Sequence, residues 1–121
     1  MRIEKQVQQG HAMPRMRDYD RERESFSWDA ACDELDRLPG DRGVNIAYEA
    51  VDRHVAHGHG EQTAIIWLGR KAERQEITYS ELEASTKRFA NVLEALGVAP
   101  GDRVYSLAGR IPELYVCALG T

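Results

Sequence analysis

Residues 77–98 read ITYSELEASTKRFANVLEALGV, and this stretch decides the fold because it predicts one long helix together with both of its ends. Thr78 and Glu81 have the spacing of a capping box, in which each side chain satisfies a free backbone N–H at the helix start. Gly97 can adopt the left-handed conformation that ends a helix, with Val98 folding back on the last turn. The apolar positions repeat at helical spacing and predict an inward stripe of Leu82, Ser85, Phe89, Val92, Leu93 and Leu96.

Strands are predicted on both sides of this helix. TAIIWLG, at 63–69, is apolar on both faces, which is typical of a strand covered on both sides. QEIT, at 75–78, is close enough to pair with it as a hairpin. RVYSLAG, at 103–109, follows a Pro-Gly turn and is predicted to be another strand with two apolar faces. Pro112 suits the first turn of a last helix. Strand, helix, strand, helix predicts a parallel α/β arrangement, of which these strands form only a part.

Two further helices are predicted upstream. Asn45 is expected to cap a helix that ends at Gly58. Its inward positions are predicted to be Ile46, Ala50, Val51 and Val55. Ser27 is expected to cap a short helix that ends at the Pro39-Gly40 pair. One face of that helix is predicted to carry Trp28, Ala31, Cys32, Leu35 and Leu38.

The two parts of the chain differ in their share of the apolar residues that form a core. Residues 1–43 contain 5 Leu, Ile, Val and Phe residues, or 12%, whereas residues 44–121 contain 20, or 26%. The first share is below the roughly 20% that is associated with disorder, and the second is ordinary for a globular domain. We therefore predict an N-terminal arm over residues 1–43, with one short helix and otherwise flexible, followed by a folded domain over residues 44–121.

Charge and cysteine content exclude several classes of protein. The 16 basic and 20 acidic residues are mixed along the chain and give a net charge of −4. RDYDRERE, at 17–24, alternates in sign and is predicted to be a solvated linker, so that neither nucleic acid nor a membrane is an expected partner. Cys32 and Cys117 form no C-x-x-C pair and are expected to be reduced. Without a signal-peptide pattern or a run of 18 apolar residues, the chain is expected to be cytoplasmic.

Three closely spaced histidines are the first candidate for a site. His54 and His57 can share a helical face, His59 follows in a loop, and Glu61 could add a carboxylate, so one reading is a zinc site. The other, more common explanation of such a pattern is a solvated helix end, where histidine interacts favourably with the helix dipole.

No other sequence pattern predicts a catalytic or ligand-binding site. The chain contains neither of the glycine-rich phosphate-loop motifs and no G-x-S-x-G nucleophile motif. The acidic run of Asp33, Glu34 and Asp36 is predicted to be a solvated face. Core or rim positions are predicted for the aromatic residues Trp67, Tyr79, Phe89 and Tyr105. We therefore assign no catalytic, cofactor-binding or metal-binding residue in this sequence.

The order of four motifs in this sequence resembles that of a known protein family. The ITYSELE capping box, the helix end LEALGV, the GDRV turn and the IPEL helix follow one another as they do at the start of the large domain of adenylate-forming acyl-CoA ligases. Upstream, FSWDAACDELDRL and NIAYEAVDRHV resemble the acetyl-CoA synthetase (acetate–CoA ligase) branch most. The resemblance covers residues 26–121.

The resemblance implies an α/β fold, as the incomplete N-terminal portion of the AMP-binding ligase large domain, preceded by an extended or helical arm. It implies an intact enzyme that uses ATP, Mg²⁺ and CoA to form an acyl-adenylate and then a thioester. The family's phosphate loop (T-S-G-T-T-G-x-P-K-G), its ribose-binding acidic residue and its C-terminal-domain lysine have no match here and are expected beyond Thr121. This segment alone is therefore expected to bind no cofactor and to be inactive.

The expected partners are the remainder of the ligase large domain and its C-terminal domain. Made alone, the chain is expected to be marginally stable or to self-associate through uncovered apolar surface. The alternative to a ligase segment is a freestanding small α/β interaction module without catalytic activity. A metal-binding domain that uses the histidines is a third possibility.

Overall fold

The structure is a computed structural model that describes residues 16, 18–40 and 42–121. The chain divides into two compact units, Met1–Glu34 and Leu35–Thr121. For residues 1–15, the prediction of a flexible arm falls outside the described part of the chain.

The first unit contains two short helices, α1 at Tyr19–Ser25 and α2 at Trp28–Asp33. Asp18 and Ser27 cap them by accepting hydrogen bonds from backbone N–H groups three residues on. The first helix was not expected from the alternating charges, although an Asp followed by an acidic first turn is a helix-start signal. The second is shorter than predicted, so Leu35 and Leu38 lie beyond its end.

In the second unit, Asn45 begins a helical segment as predicted, because its Oδ1 accepts hydrogen bonds from the N–H groups of Ala47 and Tyr48. The segment continues as a π-helical turn, Tyr48–Asp52, and a short α-helix, α3, at Arg53–Ala56. Gly58 ends it with a φ of 81°.

The predicted inward face of this helical segment is partly wrong, because the segment contains a π-helical turn. Val51 is buried and Val55 is half-buried, but Ile46 is 81% exposed and Ala50 is exposed as well. A π-helical turn contains one residue more than the spacing of an α-helix allows, and it therefore rotates the residues before it away from the face that follows.

The predicted hairpin is confirmed. Strand β1, Thr63–Leu68, pairs antiparallel with β2, Arg74–Thr78, and places Ile65 opposite Ile77. The prediction that both faces of β1 are buried was wrong. Ile65 and Trp67 are half-buried, whereas Ile66 and Leu68, on the other face, are 54% and 70% exposed, since no described element covers them.

Helix α4, Tyr79–Ala95, confirms the long helix and both of its ends. Thr78 and Glu81 form the complete capping box. Gly97 has a φ of 81°, and the N–H of Val98 donates to the carbonyl of Leu93 at 3.0 Å, which closes the helix as predicted.

The predicted inward stripe of α4 holds only in part. Leu82 is 3% exposed, and Ser85, Phe89 and Leu93 are half-buried. Val92 and Leu96 are 53% and 74% exposed, so the C-terminal end of the stripe has no cover in the described chain. Thr86, outside the predicted stripe, is 5% exposed because α5 packs over it, and its hydroxyl donates to the carbonyl of Glu83.

The predicted strand at 103–109 is not formed. A turn at Ala99–Asp102 leads into this segment, as expected, with Gly101 at a φ of 97°. The segment itself has no ladder partner among the described residues, and Tyr105 and Leu107 are 88% and 105% exposed. A β-strand forms only when it can hydrogen-bond to a neighbouring strand. The predicted strand is therefore absent because no described residue pairs with it, and not because its sequence is unsuited to a strand.

The last helix, α5, spans Glu113–Gly120 and follows Pro112 as predicted. It packs against α4, where the backbone of Gly120 lies close to Thr86 and Phe89. The two strands and the packed helices are consistent with an incomplete α/β domain. Within the described residues, however, the observed strand pair is antiparallel and the predicted parallel pairing is not present.

Candidate functional site

The structure gives each of the three histidines a different partner. The His54 ring stacks on Tyr79, with centroids 4.6 Å apart. His57 Nε2 lies 3.1 Å from Asp36 Oδ2, and His59 Nδ1 lies 3.1 Å from the Gln62 side-chain amide. Among the described residues, no three His, Cys, Asp or Glu side chains converge as metal ligands. The zinc reading therefore gains no support from this geometry.

The remaining predicted candidates are also dispersed. The Trp67 indole donates to the Arg110 carbonyl at 2.7 Å, which ties β1 to the start of α5. Phe89 is half-buried against Gly120, whereas Tyr105 is exposed. Both cysteines are free thiols, Cys32 exposed and Cys117 half-buried. None of these residues lies in a shared site.

A charged cluster that was not among the predicted sites lies where the second unit begins. We define the Glu49 cluster as Asp36, Arg37, Glu49, Arg53 and His57. The Glu49 carboxylate accepts hydrogen bonds from the N–H of Arg37 at 2.7 Å and of Asp36 at 3.3 Å. Its Oε2 also lies 2.7 Å from Arg53 Nη1. The cluster thus holds the segment at 35–39 against the helical segment that carries Glu49.

The pKa values in this cluster follow from these contacts. The hydrogen bond from Arg53, followed by those from the Arg37 and Asp36 amides, lowers the pKa of the Glu49 carboxyl below its usual range. The same bond raises the pKa of Arg53, with a further contribution from the charge of Asp36. The i, i+4 spacing of Glu49 and Arg53 was visible in the sequence. The contact to Asp36 was not, because it depends on how the chain folds back.

A second charged group joins the helical segment to α4. Lys87 Nζ lies 2.6 Å from Glu83 Oε1 and 3.1 Å from Asp52 Oδ1. The hydrogen bond that Lys87 donates to Glu83 is the main reason that the pKa of Lys87 is raised, and Asp52 adds to it. We interpret the contact as structural, since Lys87 is held between two carboxylates of different elements.

An open groove with several charged side chains in its walls lies between β2, α4 and α5 and has a volume of about 450 Å³. Its charged side chains are Glu76, Glu81, Arg88 and Glu113. Glu81 is held in the capping box, where hydrogen bonds from Thr78 lower its pKa, and Arg88 donates to Ser85 at 3.2 Å. Ser85, whose hydroxyl accepts this bond from Arg88, also lines the groove.

Several exposed apolar side chains lie close together in the sequence, between residues 105 and 115. We define the 105–115 surface as the exposed apolar side chains of Tyr105, Leu107, Ile111, Leu114 and Tyr115, with exposures from 37% to 105%. Five exposed apolar side chains within residues 105–115 favour a place where another protein surface belongs. The candidate functional feature of the described residues is therefore an interaction surface.

None of the helices in the described residues combines the length and the apolar character that a membrane crossing requires.

Comparison with known proteins identifies what the chain is similar to. The family described as AMP-binding enzyme matches residues 52–121. The chain is 41% identical over 76 residues to the acetyl-coenzyme A synthetase of Chlorobaculum tepidum, which covers 63% of the chain and 12% of that relative. It is 44% identical over 79 residues to that of Streptomyces avermitilis, covering 65% of the chain and 12% of the relative. With that of Halorhodospira halophila, it is 42% identical over 93 residues, which cover 76% of the chain and 14% of the relative.

The matched part of the chain thus spans only about an eighth of the length of these curated relatives, 12% to 14%. No solved structure matches the chain.

Proposed function

Because this chain belongs to the AMP-binding enzyme family, we propose that it is the N-terminal part of an AMP-forming acyl-CoA ligase of the acetate–CoA ligase type. The observation that carries the proposal is the family match over residues 52–121, supported by the acetyl-coenzyme A synthetases that are 41% to 44% identical. The proposed activity of the intact protein is ATP-dependent formation of an acyl-adenylate, followed by formation of the CoA thioester.

The described residues do not fit the groups that this reaction needs. The sequence has no phosphate-loop motif, and the described side chains present no ligand set for Mg²⁺. We therefore assign no step of the reaction to this chain and propose that it is inactive alone. Binding of ATP, Mg²⁺ and CoA belongs, in this proposal, to the intact ligase.

The role proposed for this chain is structural. Residues 44–121 would begin the AMP-binding large domain, and residues 1–43 would precede it as an arm. The partners are the remainder of the large domain, which would supply the neighbour that the segment at 103–109 needs for a parallel sheet, and the C-terminal domain. Covering the 105–115 surface is the contribution expected of that remainder. We propose a cytoplasmic location for the intact enzyme.

A chimera tests the proposal. In the Chlorobaculum tepidum acetyl-coenzyme A synthetase, the 76 residues that match this chain are replaced by the corresponding residues of this chain. We expect the chimera to form acetyl-CoA from acetate, ATP and CoA at a rate within about tenfold of the parent, or ~1.4 kcal/mol in the barrier. The isolated chain should form none.

The matched control is the same chimera with Leu82→Asp, which places a charge in the small core and should abolish activity by unfolding the segment. A well-folded but inactive chimera without this substitution would contradict the proposal. The same result would favour the second candidate function, a freestanding interaction module, for which the 105–115 surface is the specific supporting observation.

A further inference from the structure

A recess with two arginines in its walls lies at the turn of the β1–β2 hairpin. Arg70, in the hairpin turn, and Arg110, just before α5, both line this open cavity of about 560 Å³. The indole N–H of Trp67 donates to the Arg110 carbonyl at 2.7 Å and so joins the hairpin to the chain 43 positions further along. We define the hairpin recess by the residues that line it, Trp67, Leu68, Gly69, Arg70, Glu73 and Arg110.

The two guanidinium groups of the hairpin recess are not neutralised by carboxylates. Among the residues that the structure describes, no ion pair engages Arg70 or Arg110. Glu73 is the acidic residue of the recess, and its Oε2 accepts a hydrogen bond from the N–H of Lys71 at 2.7 Å. The residues of the recess thus carry two positive charges and one negative charge, and this balance attracts anions.

A phosphate group matches the chemistry of these two arginine side chains. The guanidinium group is planar and always charged, and its N–H donors form a fork that fits two phosphate oxygens at once. A phosphate dianion has enough oxygens to accept hydrogen bonds from two such groups, whereas one guanidinium already engages both oxygens of a carboxylate. The volume of the recess is ample for an anion of this size, and its open side admits a ligand from solvent.

We propose that the hairpin recess binds the phosphate group of a small anionic ligand, with Arg70 and Arg110 as donors to its oxygens. The ligand is either free inorganic phosphate or a phosphate monoester. This site rests on the charges of the recess and does not depend on the ligase function proposed above. Because both arginines are exposed, the binding should weaken as the ionic strength rises.

Titration of the whole chain with inorganic phosphate, at neutral pH and constant ionic strength, tests the site through the NMR resonances of the indole N–H groups. The chain has two tryptophans, of which Trp67 lines the recess and Trp28 lies in the first unit. We expect a saturable shift of the Trp67 resonance and none of the Trp28 resonance. Glycerol 3-phosphate is titrated in the same way, and saturation by this probe alone would identify a phosphate monoester as the ligand. A Trp67 shift that saturates with neither probe, or that acetate reproduces, would overturn the proposal.

Two variants each remove one of the charged donors. Arg70→Gln and, independently, Arg110→Gln should each weaken the affinity for the saturating probe by about fivefold. Arg110→Gln retains the backbone carbonyl to which the Trp67 indole donates, so the two chain segments stay joined. An affinity that neither substitution changes would overturn the site.

A third variant should change the affinity in the opposite direction. Glu73→Gln removes the negative charge of the recess but keeps a side-chain oxygen that can accept from the N–H of Lys71, and we expect it to strengthen binding by about twofold. Unfolding would weaken binding in every variant, so the opposite signs separate an effect of charge from a loss of structure. Arg88→Gln is the matched control and should leave the affinity unchanged, because Arg88 lines the groove between β2, α4 and α5 instead.

Discussion

Thr78 belongs to two elements at once. It is the last residue of β2 and the N-cap of α4, so the chain turns from strand to helix without a loop. The Thr78 hydroxyl accepts a hydrogen bond from the N–H of Glu81 at 3.2 Å, and the Glu81 carboxylate accepts one from the N–H of Thr78 at 2.9 Å. These reciprocal bonds fix the angle at which the long helix leaves the hairpin.

We predict that Thr78→Ala lowers the free energy of unfolding by about 1 kcal/mol, because it removes the hydroxyl that satisfies a free N–H at the helix start. Urea denaturation followed by circular dichroism measures the change. Glu94→Gln, at an exposed position near the other end of α4, is the control and should alter stability by less than about 0.5 kcal/mol. Equal stabilities of Thr78→Ala and the native chain would mean that the capping box does not hold the helix start.

At the scale of elements, α4 and α5 approach each other closely at one glycine. A Cβ at Gly120 would lie 2.8 Å from the carbonyl oxygen of Thr86 and 3.0 Å from Phe89 Cδ1. Because the first of these atoms belongs to the backbone, a larger residue would push the helices apart. The contact explains why Thr86 is buried although it lies outside the predicted stripe.

We predict that Gly120→Ala destabilises the packing of α5 on α4 and lowers the free energy of unfolding by about 1–3 kcal/mol. Gly109→Ala is a matched control, because a Cβ at Gly109 meets nothing within 4 Å and should be nearly neutral. Thermal unfolding of both variants separates a steric effect from the general effect of replacing glycine. If the two substitutions were equally mild, the close approach of the helices would be wrong.

The elements that the sequence predicted correctly are those that local hydrogen bonds complete. Helix α4 with its caps, the β1–β2 hairpin and the helix after Pro112 all follow from neighbouring residues. The segment at 103–109 has strand-like residues but no neighbour, and no property of its own could supply one. The displaced face around Ile46 depends on a π-helical turn, which apolar periodicity does not reveal.

The contacts in the candidate sites could be predicted to the same extent as the secondary structure, and for the same physical reason. The pairing of Glu49 with Arg53 could be found from their spacing, whereas the contacts to Asp36 and Arg37 depend on a distant fold-back of the chain. The absence of a catalytic residue from these 121 residues stays a prediction. Motifs with a local spacing could be searched for in the sequence, but an interaction surface is recognised only from what the structure leaves exposed.

At the scale of the whole molecule, apolar surface exceeds the surface available to cover it in the described residues. Val51, Leu82 and Pro112 are buried there, the first two with 1% and 3% exposure, while Tyr105, Leu107 and Tyr115 are more than half exposed. A folded domain with so small a buried core gains little from the hydrophobic effect. The matched residues span 12% of the length of the Chlorobaculum tepidum relative, and in the function proposed above the remainder of the large domain would cover this surface.

The central claim is that the 105–115 surface requires cover from another protein surface. Size-exclusion chromatography with light scattering, over a range of protein concentrations, measures it most directly. We predict that the mass of the chain rises above the 13.7 kDa of a monomer as concentration increases. Leu107→Ser, at a fully exposed position, should weaken that rise without disturbing the fold. A mass of 13.7 kDa at every concentration, together with a single cooperative thermal transition, would contradict the claim.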